Sequence, residues 1–253
     1  MKKSVFIIIS FTIATLLSAL DHQALLAEAD SLVNYPATDF QARYTIVQDI
    51  PAEGRITTVA SVFRRDRDEA YTIVIEDPAE NRGQGYLKNR ETLWIYDPDS
   101  REFNSTSSSD RFQNSNARNS DFTNSTLARD YEVVAAEEVT LGRYECWLLE
   151  LEGRTDDLTY PKMKIWIDQD RLVRKTEDYS LSGQLLRTSV FASYHQLDSG
   201  FVLHKVIYVD HLEGAVVDGE FINEKTQVTI DSPSLVDLPD SVFSKSFLER
   251  VSQ

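Results

Sequence analysis

The side chains that carry most protein chemistry are few in this chain and stand apart from one another. The histidines are His22, His195, His204 and His211. His204 and His211 are seven positions apart on one expected strand, which puts them on opposite faces. No His, Cys or carboxylate group has the spacing of a metal site, so these read as surface histidines. Cys146, the only cysteine, lies in an apolar stretch with no histidine near it in sequence. That is the setting of an inert core thiol, and it rules out an internal disulfide. Gly83-Gln84-Gly85 lacks the third glycine and the following helix of a phosphate loop. Asp156-Asp157 and Asp168 with Asp170 read as turn acids, because a calcium site draws more oxygen ligands from one loop. These residue types predict no catalytic group, no metal and no cofactor, and hence a non-enzymatic protein.

The elements that surround these residues are mostly strands. Residues 21–33 have helical periodicity, with Leu25, Ala29 and Leu32 on one face and Asp21 as N-cap. From residue 40 the period becomes two. Phe40, Ala42, Tyr44 and Ile46 alternate with Gln41, Arg43 and Thr45, giving a strand with one apolar and one wet face. Further strands are expected over residues 55–64, 70–76, 92–96, 131–140, 143–152, 162–168, 172–179, 185–195, 201–211 and 221–230. Short breakers separate the later ones, among them Leu141-Gly142, Ser182-Gly183 and Leu212-Glu213-Gly214. Such spacing makes antiparallel neighbours and leaves no room for parallel crossovers. Residues 104–126 are crowded with Ser, Asn and Thr and read as a long mobile loop or a set of short turns. Pro239-Asp240 opens a short terminal helix holding Phe243, Phe247 and Leu248.

Ten or eleven strands, one helix and one polar segment make a mainly β protein. A single antiparallel sheet that wide must curl, giving an unclosed barrel with an apolar interior. One thin helix cannot fill that interior, and the remainder is a greasy groove.

Residues 1–19 read as a signal peptide, with Lys2 and Lys3 ahead of an apolar run shorter than the ~20 residues of a spanning helix. Leu17-Ser18-Ala19 is the expected cleavage site, so residues 20–253 form the mature domain. No cysteine lies near the signal's end, so no lipid anchor is expected. Of 26 basic and 41 acidic side chains, 24 and 41 remain after removal of Lys2 and Lys3, a balance of −17. So acidic a protein is repelled by nucleic acid and by anionic membrane surfaces.

Several motifs resemble the LolA-like periplasmic lipoprotein carriers, and in particular a branch of outer-membrane lipoprotein-sorting proteins. They are Asp39-Phe40-Gln41-Ala42 after the first helix, Thr92-Leu93-Trp94-Ile95-Tyr96-Asp97-Pro98, Ser120-Asp121-Phe122 with Asp130-Tyr131, and Tyr160-Pro161-Lys162 through Trp166. Asp178-Tyr179-Ser180-Leu181-Ser182-Gly183 and Leu238-Pro239 continue the likeness, so it spans nearly all of the mature chain. The branch places glycine before Ser-Asp-Phe. Asn119 stands there in this chain, the next residue to tolerate a left-handed backbone.

The resemblance implies a monomeric periplasmic carrier whose concave face, lidded by short helices, holds the acyl chains of lipoproteins or other lipids. It further implies hand-over to the outer membrane through membrane-embedded donor and acceptor proteins. The expected groove residues are Phe40, Tyr44, Ile46, Leu93, Ile95, Trp147 and Ile165, with Trp147 as a reporter of occupancy. Phe112 and Phe122 are the expected lid anchors. The family's carriers hold the lid with an arginine near the end of the second strand, where Arg64 and Arg65 lie. An accessory interaction module of an envelope transport or assembly machine, with its groove filled by its own lid, is the alternative.

Overall fold

A computed structural model describes residues 21–90, 92–197 and 200–252. The expected signal peptide lies outside the described residues. Thirteen strands form one antiparallel sheet. They are β1 (Phe40–Ile50), β2 (Gly54–Arg65), β3 (Ala70–Asp77), β4 (Gly85–Asn89), β5 (Thr92–Asp97), β6 (Glu102–Thr106), β7 (Tyr131–Leu141), β8 (Tyr144–Gly153), β9 (Lys162–Asp168), β10 (Val173–Tyr179), β11 (Leu185–Leu197), β12 (Gly200–Val217) and β13 (Glu220–Leu235). Among the described residues three α-helices accompany them: α1 (His22–Val33), α2 (Leu127–Asp130) and α3 (Lys245–Val251).

The strand order is 6-5-4-3-2-1-13-12-11-10-9-8-7. Two meanders therefore meet at a central seam, where β1 pairs with β13 from Phe40↔Leu235 to Asp49↔Lys225. The outer strands β6 and β7 are consecutive in sequence. The chain between them must cross the whole curled sheet, and that crossing is the Ser/Asn-rich segment.

The inner face is filled by two different elements. Over β7–β10, Leu25, Leu26 and Ala29 of α1 pack on Leu149, Leu151, Ile165 and Ile167. The Asp21 carboxylate accepts from the Gln23 and Ala24 amides, capping the helix as expected. Gln23 then donates to the carbonyls of Ala128 and Tyr131 and accepts from the Val133 amide, which ties α1 to the start of edge strand β7. Over β1–β5 the crossing segment itself fills the curl. Phe112 and Phe122 stack on each other at 4.5 Å and on Tyr86 and Tyr44. Ala117 is buried with them, beside Ile46, Ile73 and Leu93. Of the two expectations for this segment, the set of short turns is the one seen, with turns at Phe112–Asn114 and Asn119–Phe122, and it is a packed strap because its few apolar residues are all inside.

On the outer face, α3 covers the first meander, with Leu248 against Leu87 and Tyr96. A Cβ on Gly85 would lie 2.5 Å from the Leu248 side chain, so any larger residue there makes Leu248 shift. β4 and β6 were not expected as strands. β4 is five residues long and opens on that glycine, and β6 is five residues on an edge, four of them polar. The last hairpin also runs further than expected. Its turn is Asp218-Gly219, both at positive φ, while Leu212–Gly214 forms a register shift within it. Asn119 is not left-handed; Gln113 and Asn114 are. Asn119 is instead buried, donating its amide to the Ser107 carbonyl.

Candidate functional site

Between α1 and the strap lies a cavity of about 360 Å³. Its apolar wall comes from the seam and the strands beside it: Phe40 and Tyr44 of β1, Phe191 of β11, Val206 of β12, and Val228 and Ile230 of β13. The last turns of α1 and the strap from Ser120 to Leu127 close the other side.

The strap is held in place residue by residue. Thr226 on β13 accepts the Asn116 amide at 2.9 Å. The Arg187 guanidinium, buried on β11, donates to both Asp121 oxygens at 2.7 and 3.2 Å and to Asp178 at 2.8 Å. The rings of Tyr160 and Tyr208 flank it, each with its centroid 4.9 Å away. Arg111 reaches Asp210 at 2.7 Å. Asn34, just after α1, exchanges two hydrogen bonds with Ser125, while Asp30 accepts from the Ser125 hydroxyl and from the Ala128 amide. Arg64 donates to the carbonyls of Val33 and Thr123 and pairs with Asp66.

Burial sets the ionisation of these groups. It raises the Asp178 carboxyl, although Arg187 pulls the other way. It raises Asp30 and Glu224 likewise. Burial pushes the Tyr44 phenol up to about 12 and raises Tyr160 and Tyr208, so the cavity's phenols are neutral at physiological pH.

Of the seven expected groove residues, Phe40 and Tyr44 line the cavity. Ile46 and Leu93 are packed in the strap's own core, with Ile95 against it. Ile165 is filled over by α1, and Trp147 sits beside the same cluster with Arg171 stacked on its ring at 4.7 Å. Those five do not line the cavity, because the protein's own helix and strap already occupy their face. Trp147 thus lies outside the cavity lining. Among the expected lid residues, Phe122 and Arg64 line the cavity. Phe112 lies deeper, and Arg65 points to the opposite side, where it grips Asp39 at 3.0 and 2.8 Å, Asp240 and the Leu238 carbonyl. Sequence reasoning missed Arg187, Ser189, Thr176 and Tyr208, whose signal was polar residues at inward strand positions.

The histidines are less scattered than their numbering suggests. His195 and His204 lie with ring centroids 4.3 Å apart, both against the Ile230 carbonyl. No third ligand joins them, and no group of three metal-binding side chains occurs among the described residues. Nor is any helix of the described residues long and apolar enough to cross a membrane.

Residues 67–250 match the model of a family described as "Uncharacterized protein". The chain belongs to that family. No curated protein matches the sequence. Its fold is that of the LolA superfamily. A LolA superfamily protein from Nitrosomonas europaea superposes with a TM-score of 0.73 at 26% identity, over 90% of this chain and 100% of that one. An outer membrane lipoprotein-sorting protein domain from Vibrio parahaemolyticus gives 0.76 at 19% identity, over 90% and 98%. A DUF1329 family protein from Desulfovibrio piger gives 0.76 at 18% identity, over 89% and 97%. The likeness covers about nine-tenths of this chain, so the wide, curled, unclosed sheet is a fold shared with these proteins.

Proposed function

We propose that this protein is a non-enzymatic periplasmic carrier that holds acyl chains of a lipoprotein or another lipid for transfer to the outer membrane. The observation that supports this reading is the cavity of about 360 Å³, apolar along the seam and closed by a strap of the same chain. Its volume lies at the lower end of the ~300–1,000 Å³ usual for small-molecule sites. Each CH₂ moved from water into it contributes about 0.8 kcal/mol, so a single chain can be held firmly yet given up to a membrane partner. Strap opening trades hydrogen bonds at Asp121, Thr123 and Ser125 for solvent, which suits a gated release.

Displacement of a neutral fluorescent probe, such as N-phenylnaphthylamine, by methyl dodecyl ether tests the reading. The wild type should bind, and Val206→Phe, which fills the cavity, should abolish binding with an unchanged circular-dichroism spectrum. Val134→Glu, on an exposed site of β7, should bind as wild type. If the wild type takes up no acyl ligand, the carrier reading is wrong.

One observation favours the alternative, an accessory interaction module. The β12–β13 hairpin projects past its neighbours with Leu212, Val216 and Phe221 exposed. Glu213, Asp218 and Glu220 beside them would suit a partner protein with a basic rim.

A further inference from the structure

Two polar rungs cross the inner face of β10–β13. The first runs Thr176, Ser189, Tyr208, Thr226, each residue directly opposite the next across the strand pair. The second, one pleat along, runs Asp178, Arg187, Asp210. The strap covers the second rung with Asp121 and Arg111 and meets the first only at Thr226, through the Asn116 amide. Thr176, Ser189 and Tyr208 are left facing the cavity. Ser189 is 1% exposed, yet its hydroxyl has no hydrogen-bond partner. A buried hydroxyl left unmatched is costly, and no hydrogen bond from the strap reaches it.

Resting on the acyl-carrier reading, we propose that Ser189 and its rung form a head-group subsite for uncharged amphiphiles whose head carries a hydroxyl or an amide N–H. Such a head can donate to and accept from Ser189 while its chain lies along Val206, Val228 and Ile230. The neighbouring rung argues against a charged head. Arg187 is already taken by two carboxylates, so a carboxylate or phosphate would find no free cation on it. It would instead face Asp121, the carboxylate that lines the cavity beside Arg187. A cationic head would lie beside the buried Arg187 guanidinium and be repelled by it, so the neutral donor head is favoured on both counts.

Dodecanol, methyl dodecyl ether and dodecanoate differ only at the head, and their displacement of N-phenylnaphthylamine from the full mature chain separates the outcomes. Wild type should bind dodecanol about tenfold more tightly than the ether, one hydrogen bond's worth, with dodecanoate weakest. Ser189→Ala should bring dodecanol and the ether to equal affinity, dodecanol losing about tenfold more. The ligand-free Ser189→Ala protein should melt no lower than wild type, since it loses an unmatched hydroxyl, and this separates the effect from misfolding. Equal binding of all three ligands by the wild type, or a preference that survives Ser189→Ala, overturns the subsite and leaves the carrier reading standing. No displacement by any of them overturns both.

Discussion

The two wings of the sheet have the same architecture and opposite fillings. Over β7–β10 the filler is a helix, which offers an apolar stripe of Leu25, Leu26 and Ala29 and satisfies its own backbone. Over β1–β5 it is an irregular strap, which brings Phe112 and Phe122 inward but must find partners for its peptide groups and its charges. The sheet supplies them with Arg187, Asp210 and Thr226. A helix can therefore be laid on any greasy surface, while a strap needs a surface written to match it. The cavity lies where neither filler reaches. The helix-filled wing should behave as fixed core, and the strap-filled wing as core that is latched.

The sharpest way to break this distinction is Phe112→Ala. If the strap is core, the loss should be about 3–5 kcal/mol by equilibrium unfolding, on a par with the ~2–5 kcal/mol expected for Leu26→Ala under the helix. A cost below about 1 kcal/mol would make the strap a detachable lid and the two wings truly different.

Asp39→Asn tests a clasp that serves the outside of the strap-filled wing. Burial raises the Asp39 carboxyl, but the hydrogen bonds from Arg65 and the Leu238 amide, with the charges of Arg65 and Arg67, together outweigh it and hold it below the usual carboxylate range. Its stabilisation is thus complete above the unfolded value and fades as pH falls through the lower folded one. The variant should cost about 3–5 kcal/mol at pH 7. The gap to wild type should narrow below about pH 4, where the carboxyl protonates in the unfolded chain and then in the folded one. A gap that stays constant with pH would mean the pair acts by packing alone.

Asp121→Ala opens the latch itself. It removes the two bonds from Arg187 and the cap on the Arg118 amide. A stability loss of about 1.5–3 kcal/mol is expected. Amide exchange over residues 118–126 should quicken while α1 and β8 stay protected. Equal quickening in both wings would dissolve the comparison.

The smallest effect should come from Arg64→Lys. Lysine keeps the pairing with Asp66 but cannot also reach Val33 and Thr123 or stack as a plane over Tyr35 and Phe40. About 0.5–1.5 kcal/mol should be lost. Exchange should rise at Thr123 and Asn124 alone if Arg64 holds only that end of the strap.

The same contrast explains what the sequence made legible. Period-two strands, the Asp21 cap and the short breakers carry the fold class and most of the sheet, because they are local signals. Family motifs carry the curled, unclosed architecture. The five-residue β4 and the polar β6 are too short to have a period, and Gly214 looked more like a hairpin turn than Asp218-Gly219 did. The cavity was harder to read. Choosing groove residues by hydrophobicity selects Ile46, Leu93, Trp147 and Ile165, which are the positions that the chain's own helix and strap cover or pack beside. The cavity's distinctive wall is polar and faces inward. At Thr176, Ser189 and Arg187 the alternation looks like that of an outer face, and only the pairing of four strands shows them as one surface.

The central seam has a consequence for how the molecule assembles. Within each meander, neighbouring strands are joined by a few residues, so their pairing closes small loops at little entropic cost. β1 and β13 instead join residues as far as 195 positions apart, Phe40 with Leu235. That pairing gains its hydrogen bonds only after most of the chain has lost its freedom, and it gives the fold a large share of non-local contacts. The two meanders can form early and independently. Their zipping along β1–β13, with the strap already drawn between them, is then the slow event, and the interior takes shape only when that last pair of strands meets.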